Sequence, residues 1–279
     1  MSAKDASTKD VFALIKDNDI QFVDFRFTDP KGKWQHTCYV AEQVNDSSFE
    51  DGIMFDGSSI AGWKSINESD MILMPDAKTA FIDPFSAQPT LVIFCDVVEP
   101  STGQPYGRDP RSLAKRAEAY LAYTGIGDTA YFGPELEFFV FDDVRFRTSG
   151  NYSFHQLDSE EMPINSDRSY QAGNMGHRPP TKGGYFPVQP VDSLADLRGE
   201  MLSTLKVVGV EPVLHHHEVA PAQCELGTMF STLLGTADNI QKYKYVVHNV
   251  AHSYGKSVTF MPKPLSGDNG SGMHVHQSI

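Results

Sequence analysis

The stretch YFGPELEFFVF at positions 131–141 sets the fold class for the larger part of this 279-residue chain. Aromatic and β-branched residues favour extended structure, so the whole stretch predicts one long strand. Glu135 and Glu137 stand two positions apart, and a strand directs both carboxylates to the same face. Leu136 and Phe138 then occupy the opposite face, which is expected to pack against a core.

Two carboxylates on one strand face have two explanations. They are solvated charges, as on many half-exposed strands, or they share a divalent cation that offsets their repulsion. Mg²⁺ and Mn²⁺ are hard cations that prefer oxygen ligands, so either ion fits such a pair. The spacing alone favours the solvated face, and both explanations remain open at this point.

Upstream of this strand, the first hundred residues are β-rich after a short N-terminal helix. Alternation at 23–27 predicts a half-buried strand, and turn residues at 29–32 lead into a returning strand at 34–40. Residues 91–98 predict a buried strand. The Pro- and Gly-containing segment 99–105 has the composition of a linker, so we expect a domain boundary after residue 105.

Downstream, the chain alternates helices and strands. Asp109 and Gly125 predict the two ends of a helix whose Leu113 and Tyr120 fall on one apolar face. Three more elements are expected: a helix at 193–209 with a capping-box-like start at Ser193, a strand at 212–219 and a helix at 237–254. The segment 142–184 is polar and irregular, which predicts a long loop.

Composition excludes several classes of protein. A chain with 40% hydrophobic and 21% charged residues is globular rather than disordered. Its 23 basic and 36 acidic residues give a net charge of −13, so a nucleic-acid-binding surface is disfavoured. The longest apolar run is too short to span a membrane. Three scattered cysteines exclude a disulfide framework, and together with the polar start of the chain they favour a cytoplasmic protein.

Three further clusters carry residues suited to chemistry. In HHHE at 215–218, strand alternation places His216 and Glu218 on one face, away from the other two histidines. In GDNGSGMHVH at 267–276, the glycines allow close approach of backbone amides to a ligand, although an ordinary Gly-rich turn is the alternative. In MFDGSSIAGW at 54–63, a turn precedes Trp63, which indicates an anchored exposed loop or a mobile flap.

These clusters together predict an acidic, histidine-containing site for metal-assisted chemistry on an anionic substrate. Consecutive histidines in one strand cannot converge on a single zinc ion, and a carboxylate-dominated site disfavours a zinc hydrolase. Phosphoryl transfer, hydrolysis and ligation all remain open on this physical ground.

Several long motifs in a fixed order resemble bacterial type I glutamine synthetases. The similarity extends over nearly the whole chain. The motifs are FDGSSIAGW, GPELEFFVF, KGGYFPV, HHHEVAPAQCE, YKYVVHNVAHSYGK, TFMPKP and GDNGSGMHVH. The resemblance implies an α+β chain, with an N-terminal β-grasp domain at 1–105. The first part of an α/β catalytic domain with a curved antiparallel sheet would follow at 106–279.

The same resemblance implies an activity and a set of small-molecule partners. Members of this family join ammonia to L-glutamate at the expense of ATP, by way of γ-glutamyl phosphate. Two or more Mg²⁺ or Mn²⁺ ions per site bridge the phosphates and offset the developing negative charge. The expected partners are therefore L-glutamate, ammonium and ATP, with neither nucleic acid nor membrane involved.

Site residues are implied by matching each family motif to this sequence. The residues implied as metal ligands are Glu135, Glu137, Glu218, Glu225 and His274, with His216 in support. The residues implied to bind and deprotonate ammonium are Asp56, Ser59, Tyr185 and Glu218. Asn269 and Gly270 match the glutamate-binding loop, and the implied nucleotide contacts are Phe230, His276 and Ser278.

The resemblance also implies an assembly and leaves alternatives. Family members form dodecamers of two stacked hexameric rings, with each active site between two subunits, so Asp56 would serve a neighbour. The family's catalytic domain continues past the last motif, so these 279 residues alone are expected to be inactive. A γ-glutamyl ligase for another amine and a non-catalytic metal-binding family member are the alternative hypotheses.

Overall fold

The computed structural model describes residues 7–162 and 176–279, and these form two compact units. The first unit comprises Met1–Ala130, Thr232–Asp238 and Ile279. The second comprises Tyr131–Ser231 and Asn239–Ser278. Within the described residues, no helix is both long and apolar enough to cross a membrane.

The first unit is built on a six-stranded sheet with the order β2-β1-β5-β4-β3, and β6 pairs with β5. Its strands are β1 (Phe22–Thr28), β2 (Trp34–Val40), β3 (Ile53–Asp56), β4 (Asp70–Ile82), β5 (Thr90–Glu99) and β6 (Gln104–Pro105). The central pair β1–β5 is parallel, and the neighbouring pairs β1–β2, β4–β5 and β3–β4 are antiparallel. Its helices are α1 (Thr8–Asp17), α2 (Asp46–Glu50) and α3 (Pro110–Thr124).

The predicted hairpin is confirmed, but the prediction that β1 is only half-buried is wrong. Val23, Phe25 and Phe27 lie in the core, and Asp24 and Arg26 on the opposite face are buried as well. The charges are tolerated there because they neutralise one another: the Arg26 Nε atom donates to Asp24 at 2.7 Å. Alternation therefore predicted the orientation of the side chains correctly, but it did not predict that the polar face is buried.

Helix α3 begins and ends where its capping residues predict. The Asp109 side chain accepts hydrogen bonds from the backbone at the first turn, and Gly125 closes the helix in the left-handed conformation with φ +70°. Its predicted apolar face, however, is exposed: Leu113 and Tyr120 retain 58% and 67% of their accessible surface. The buried face instead carries Arg111, because three carboxylates of the same unit receive its guanidinium.

The Arg111 guanidinium forms ion pairs with three carboxylates of the first unit. Its nitrogen atoms lie 2.8 Å from Asp76, 2.7 Å from Asp96 and 2.9 Å from Asp238. Only 7% of the Arg111 side chain is exposed, so these contacts replace most of its hydration. Desolvation raises the pKa of the Asp76 carboxyl, but the hydrogen bond and charge of Arg111 outweigh it and lower the pKa overall.

The second unit is built on a sheet around one long central strand. The order is β10-β11-β7-β12, and β13 and β14 also pair with β7. The elements are β7 (Tyr131–Phe141), β8 (Asp143–Ser149), β9 (Tyr152–Asp158), α4 (Ala195–Val207), β10 (Pro212–His217), β11 (Gln223–Thr228), β12 (Ser231–Thr232), α5 (Leu233–Ser253), β13 (Ser257–Thr259) and β14 (Met273–Ser278). The end of β12 and the start of α5, Thr232–Asp238, belong to the first unit. The pairs β10–β11, β11–β7, β13–β7 and β14–β7 are antiparallel.

Two local predictions in this unit are wrong. The expected loop at 142–184 contains the hairpin β8–β9, whose alternating apolar residues include Val144 and Phe146; residues 163–175 of that segment lie outside the described residues. The expected cap Ser193 does not cap α4, because its hydroxyl donates instead to the Glu161 carboxylate at 2.7 Å. The apolar stripe of α4 is confirmed, with Leu197 and Met201 buried.

Candidate metal and substrate site

Strand register brings acidic and histidine side chains into one row across three strands. Glu225 on β11 pairs with Glu137 on β7, and His216 on β10 pairs with Glu225. Directly paired residues on adjacent strands have Cβ atoms about 5 Å apart on the same face. Glu137 lies 79 positions before His216 and 88 positions before Glu225 in sequence, and the strand register brings the three side chains together.

The tightest cluster in the described part of the chain consists of His216, Glu218 and Glu225. Ligand atoms of these three side chains all lie within 4.8 Å of one another. The His216 Nδ1 atom is 3.5 Å from Glu218 Oε1, and its Nε2 atom is 3.6 Å from Glu225 Oε2. Both carboxylates are buried, so the cluster is a shielded set of hard oxygen donors with one imidazole.

Strand β14 brings two more histidines to the carboxylates of β7. His276 Nε2 lies 3.0 Å from Glu135 Oε1, and His274 Nε2 lies 4.0 Å from Glu137 Oε1. The expectation that Glu135 and His274 bind the same ion stays a prediction. In this structure the imidazole nearest to Glu135 belongs to His276. The His274 and His276 side chains are 72% and 78% exposed, so either ring is accessible to a ligand.

The electrostatics of the cluster fit a divalent cation. Desolvation, followed by the negative charges of Glu218, Glu135 and Glu137, raises the pKa of Glu225 to about 7. Desolvation is also the main cause that raises the pKa of Glu137. Carboxylates that are forced together and partly dehydrated gain stability from a bound cation. The donor set of clustered oxygens with few imidazoles suits Mg²⁺ or Mn²⁺ better than zinc.

Cation binding is consequently expected to depend on pH. A proton occupies Glu225 below its raised pKa of about 7 and competes with the metal, so affinity for Mn²⁺ should rise from pH 6 to pH 8 and then level off. Titration calorimetry in buffers of different ionisation enthalpy should show about half a proton released per ion near pH 7. Affinity that is constant over this range, with no proton release, would contradict the prediction that Glu225 is a ligand.

A glycine-containing loop closes one side of the cluster. A Cβ atom at Gly272 would lie 2.7 Å from Glu137 Oε1, and one at Gly270 would lie 2.2 Å from the Pro262 carbonyl oxygen. The Gln223 side chain ties this loop to the strand, because it donates to Glu137 at 2.6 Å and to the Gly270 carbonyl at 2.9 Å. At Gly272 the loop backbone therefore lies so close to the Glu137 carboxylate that a side chain would not fit.

Gln223 is a site residue that the sequence analysis did not identify. It lies two positions before Glu225 on β11, so strand alternation places both side chains on one face, and that signal was available. Glu161 was also missed: it is only 1% exposed and contacts His217, the neighbour of Glu218. No local pattern marks Glu161, because it lies in a polar segment far from the other site residues in sequence.

The clustered side chains line a cavity of about 710 Å³. The lining residues are Glu135, Glu137, Tyr185, Glu218, Glu225, Asn269, Gly270, Gly272, His274, Val275 and His276. A second cavity of about 480 Å³ shares Glu135, Glu225 and His276 with the first and adds Phe230 and Ser278. Apart from the supporting His216, eleven of the thirteen expected site residues therefore line these two cavities in the second unit.

Tyr185 stands at the cavity wall beside the cluster. Its ring stacks on Phe186 with centroids 3.9 Å apart and meets the His216 ring edge-on at 5.6 Å. Desolvation and then the charges of Glu218 and Glu225 raise the pKa of its phenol. The hydroxyl therefore stays protonated at neutral pH and is available as a hydrogen-bond partner.

The other two expected residues, Asp56 and Ser59, belong to the first unit. The Asp56 carboxylate accepts from the Ser58 hydroxyl and backbone, and from the Ser59 hydroxyl at 3.2 Å. The Ser58 hydrogen bonds are the main cause that lowers its pKa. Trp63 is buried and contacts the rings of Phe27 and Tyr106, so this segment is an exposed loop with a hydrophobic anchor. The predicted approach of this loop to the clustered carboxylates stays a prediction.

Comparison with known proteins identifies two matching family models. Residues 107–279 match the model described as "Glutamine synthetase, catalytic domain", and residues 19–100 match "Glutamine synthetase, beta-Grasp domain". A cryo-EM structure of Plasmodium falciparum glutamine synthetase superposes with a TM-score of 0.90 at 26% identity. The alignment covers 99% of this chain and 54% of that one. The expected α+β class, a β-grasp domain followed by a catalytic domain with a curved sheet, is confirmed.

Curated relatives are similar over almost all of this chain. A glutamine synthetase of Azospirillum brasilense is 66% identical over 96% of the chain. A protein of Cupriavidus pinatubonensis named 3-hydroxylaminophenol mutase is 60% identical over 98% of it. The chain spans about 58% of the length of both relatives. Because the catalytic-domain model alone matches more than half of its residues, the chain belongs to the glutamine synthetase family.

Proposed function

We propose that the whole protein ligates ammonia to L-glutamate, forming L-glutamine, ADP and phosphate through a γ-glutamyl phosphate intermediate. The observation that carries this proposal is one cavity in which Glu135, Glu137, Glu218 and Glu225 converge beside a close-packed glycine loop. Four carboxylates suit the binding of cations, and the loop suits a small anionic substrate next to them.

Two Mg²⁺ or Mn²⁺ ions fit the donor set. Glu137, Glu218 and Glu225 would hold the ion that serves glutamate, while Glu135 and His274 would hold the ion nearer the ATP phosphates. His216 lies within 3.6 Å of both Glu218 and Glu225, so it would support the first ion. When bound, such ions neutralise phosphate charge and polarise the phosphoryl group that is transferred.

The substrates would be divided between the two cavities. Asn269 and Gly270 would orient glutamate in the larger cavity, with its side-chain carboxylate toward the metals. Phe230, His276 and Ser278 would contact ATP in the smaller one, where Phe230 packs edge-on against Tyr131 at 5.5 Å and offers an aromatic surface. Glu135 and Glu225, which line both cavities, would lie where the two substrates meet.

Ammonium would bind where negative charge is concentrated. Glu218 and the Tyr185 hydroxyl would contact the cation, and Asp56 with Ser59 would complete its binding site. Asp56 is a carboxylate at neutral pH, and the hydrogen bonds from Ser58 lower its pKa further. A carboxylate in this state can accept a proton from ammonium and leave the amine free to attack.

For the whole protein we also propose a cytoplasmic dodecamer with sites between subunits. The division at residue 105/106 would separate the domain that supplies Asp56 from the domain that supplies the metal ligands. Size-exclusion chromatography with light scattering would measure the assembly directly, and a stable monomer with full activity would contradict shared sites.

Assays of the whole protein test the activity. We expect phosphate release and glutamine formation that require glutamate, ATP, a divalent cation and ammonium together. Activity with polyamines or ethanolamine but none with ammonium would favour a γ-glutamyl ligase for another amine. The relative named 3-hydroxylaminophenol mutase motivates a further assay, in which 3-hydroxylaminophenol is incubated with the protein and its conversion is followed.

A non-catalytic metal-binding role is tested separately with Mn²⁺. Calorimetric titration of the assembled protein is expected to show tight binding that Glu137→Ala weakens. Binding that ignores this substitution would favour a structural role for the family fold.

A shared site has a quantitative consequence for mixed assemblies. Asp56→Ala and Glu137→Ala are each expected to inactivate the homogeneous protein. In co-expressed hybrids with equal amounts of the two chains, a site is intact only where each partner contributes its native residue. Random assembly gives about one quarter of native activity. Activity no higher than that of either single variant would show that both residues act within the same subunit.

A further inference from the structure

Glu161 is a buried carboxylate whose every hydrogen-bonding position faces a donor. Its Oε1 atom accepts from the Ser193 backbone at 3.2 Å and from the Ser193 hydroxyl at 2.7 Å. Its Oε2 atom accepts from the Ala222 backbone at 2.7 Å and contacts His217 Nε2 at 2.7 Å. A side-chain amide cannot replace it without placing an NH₂ group against a backbone N–H on one side or the other.

The His217 ring has the opposite arrangement, because both of its nitrogens face acceptors. Nδ1 lies 2.7 Å from the Gly184 carbonyl oxygen and 2.6 Å from the Glu218 carbonyl oxygen. Nε2 faces the Glu161 carboxylate. Carbonyl oxygens only accept, so an imidazolium that donates from both nitrogens satisfies all three contacts. His217 and Glu161 thus form an ion pair with both side chains at most 2% exposed.

This ion pair joins the backbone segments that carry two of the proposed site residues. Through Nδ1, His217 contacts the carbonyls of Glu218 and of Gly184, the residue before Tyr185. Through Ala222, Glu161 holds the far end of the turn that begins at Glu218. Ala222 has φ +64°, a conformation that costs a non-glycine residue free energy and needs support from its surroundings.

The segments joined in this way are packed at the limit of close approach. The Gly184 N–H donates to the Val219 carbonyl oxygen at 3.0 Å. A Cβ atom at Gly184 would lie 2.9 Å from the Glu218 carbonyl oxygen and 3.0 Å from His217 Cε1. A displacement at Glu161 is therefore expected to move the backbone of Glu218 and Tyr185, because the segments in contact at Gly184 are close-packed.

We propose that Glu161 is a positioning residue that, through His217, sets the place of Glu218 and Tyr185 relative to the other metal ligands. The inference rests on the proposed function, since it concerns the cation and ammonium site. The described hydrogen bonds of Glu161 are with Ser193, His217 and Ala222, and none is with Glu135, His274 or the nucleotide residues.

The experiment compares Glu161→Gln with Glu160→Gln in the whole protein. The control removes the same charge one residue away, where the Glu160 carboxylate lies 4.0 Å from Lys256 and, among the residues that the structure describes, forms no hydrogen bond or ion pair with a site residue. Mn²⁺ affinity is measured by electron paramagnetic resonance on folded protein, and KM is measured for ammonium and for ATP. We expect Glu161→Gln to weaken Mn²⁺ binding about 10- to 100-fold and to raise KM for ammonium. KM for ATP should remain unchanged, and the control should behave as the native protein.

A general structural role predicts a different result. Loss of thermal stability with unchanged Mn²⁺ affinity, or equal losses for ammonium and ATP, would overturn the proposal. If Glu161→Gln does not fold, Gly184→Ala provides the test, because its added methyl group displaces the same backbone; native Mn²⁺ affinity in that variant would overturn the proposal. Absence of Mn²⁺ binding in the native protein would overturn the proposed function as well, whereas unaffected binding in the variants overturns this inference alone.

Discussion

Replacing Glu218 with alanine is expected to reduce glutamine formation by about 10³-fold or more and to weaken Mn²⁺ binding sharply. Glu218 belongs to the tightest cluster of ligand atoms in the described chain, and it also contributes negative charge beside Tyr185. One substitution thus removes a proposed metal ligand and part of the proposed ammonium site. Steady-state kinetics and Mn²⁺ titration measure the two losses independently.

The same substitution should not destabilise the metal-free protein. Glu218 lies among like charges, and its charge is one cause of the raised pKa of Glu225, so its removal relieves repulsion. Saturating Mn²⁺ should raise the melting temperature of the native protein but not that of Glu218→Ala, because only a bound ligand shifts unfolding. Glu211→Ala, on the exposed start of the same hairpin, is the matched control. Metal-dependent stabilisation that persists in Glu218→Ala would contradict its role as a ligand.

Replacing Arg111 with methionine is expected to lower the free energy of unfolding by about 3–5 kcal/mol. Methionine fills similar volume, so the loss arises from removal of the cation that Asp76, Asp96 and Asp238 share. Lys115 still contacts Asp96 in the variant. For a chain of this size, such a loss lowers the melting temperature by roughly 10 °C. Chemical denaturation monitored by circular dichroism measures it.

Controls separate the buried network from charge in general. Arg116→Met removes the same charge from the exposed side of α3 and should change stability by less than about 0.5 kcal/mol. Adding Asp76→Asn to Arg111→Met should recover part of the loss. A penalty for Arg111→Met no larger than that of the control would show that the network contributes no net stability.

The loss of unfolding free energy in Arg111→Met should also decrease as the pH is lowered. The pKa of Asp76 in the folded state is lowered below its ordinary value of 3.8, so its pairing with Arg111 stabilises the protein above that pH. The stabilisation is lost as pH falls through the folded pKa, because a protonated carboxyl no longer needs the cation. The difference between native protein and Arg111→Met is therefore expected to be full at pH 7 and to shrink below about pH 4.

Much of the local structure was predictable because its causes are local. The strand at 131–141, the hairpin that ends near residue 40 and the capped helix after Asp109 all follow from neighbouring residues. Period-two alternation gave the shared face of Glu135 and Glu137, and it separated His216 and Glu218 from the histidines beside them. These are consequences of strand geometry, which needs no knowledge of the partner strand.

The errors occurred where a distant partner changes what a residue does. Arg26 and Arg111 are buried because carboxylates from other elements neutralise them, and no local pattern announces such partners. Ser193 does not cap its helix because its hydroxyl donates a hydrogen bond to Glu161, 32 positions earlier. For Ser193, the tertiary contact outweighed a capping preference worth about 1 kcal/mol.

The sequence by itself determined the family, the succession of elements and the types of donor in the site, because these depend on residue identity and spacing along one chain. Only the tertiary structure decided which donors meet. The register of β7, β10, β11 and β14 brings Glu137, Glu225 and His216 into one row, and the ion pair of Glu161 with His217 ties the turn that carries Glu218 to the segment before Tyr185. Register and burial are collective properties of packed strands, so they arise only when the whole sheet has formed.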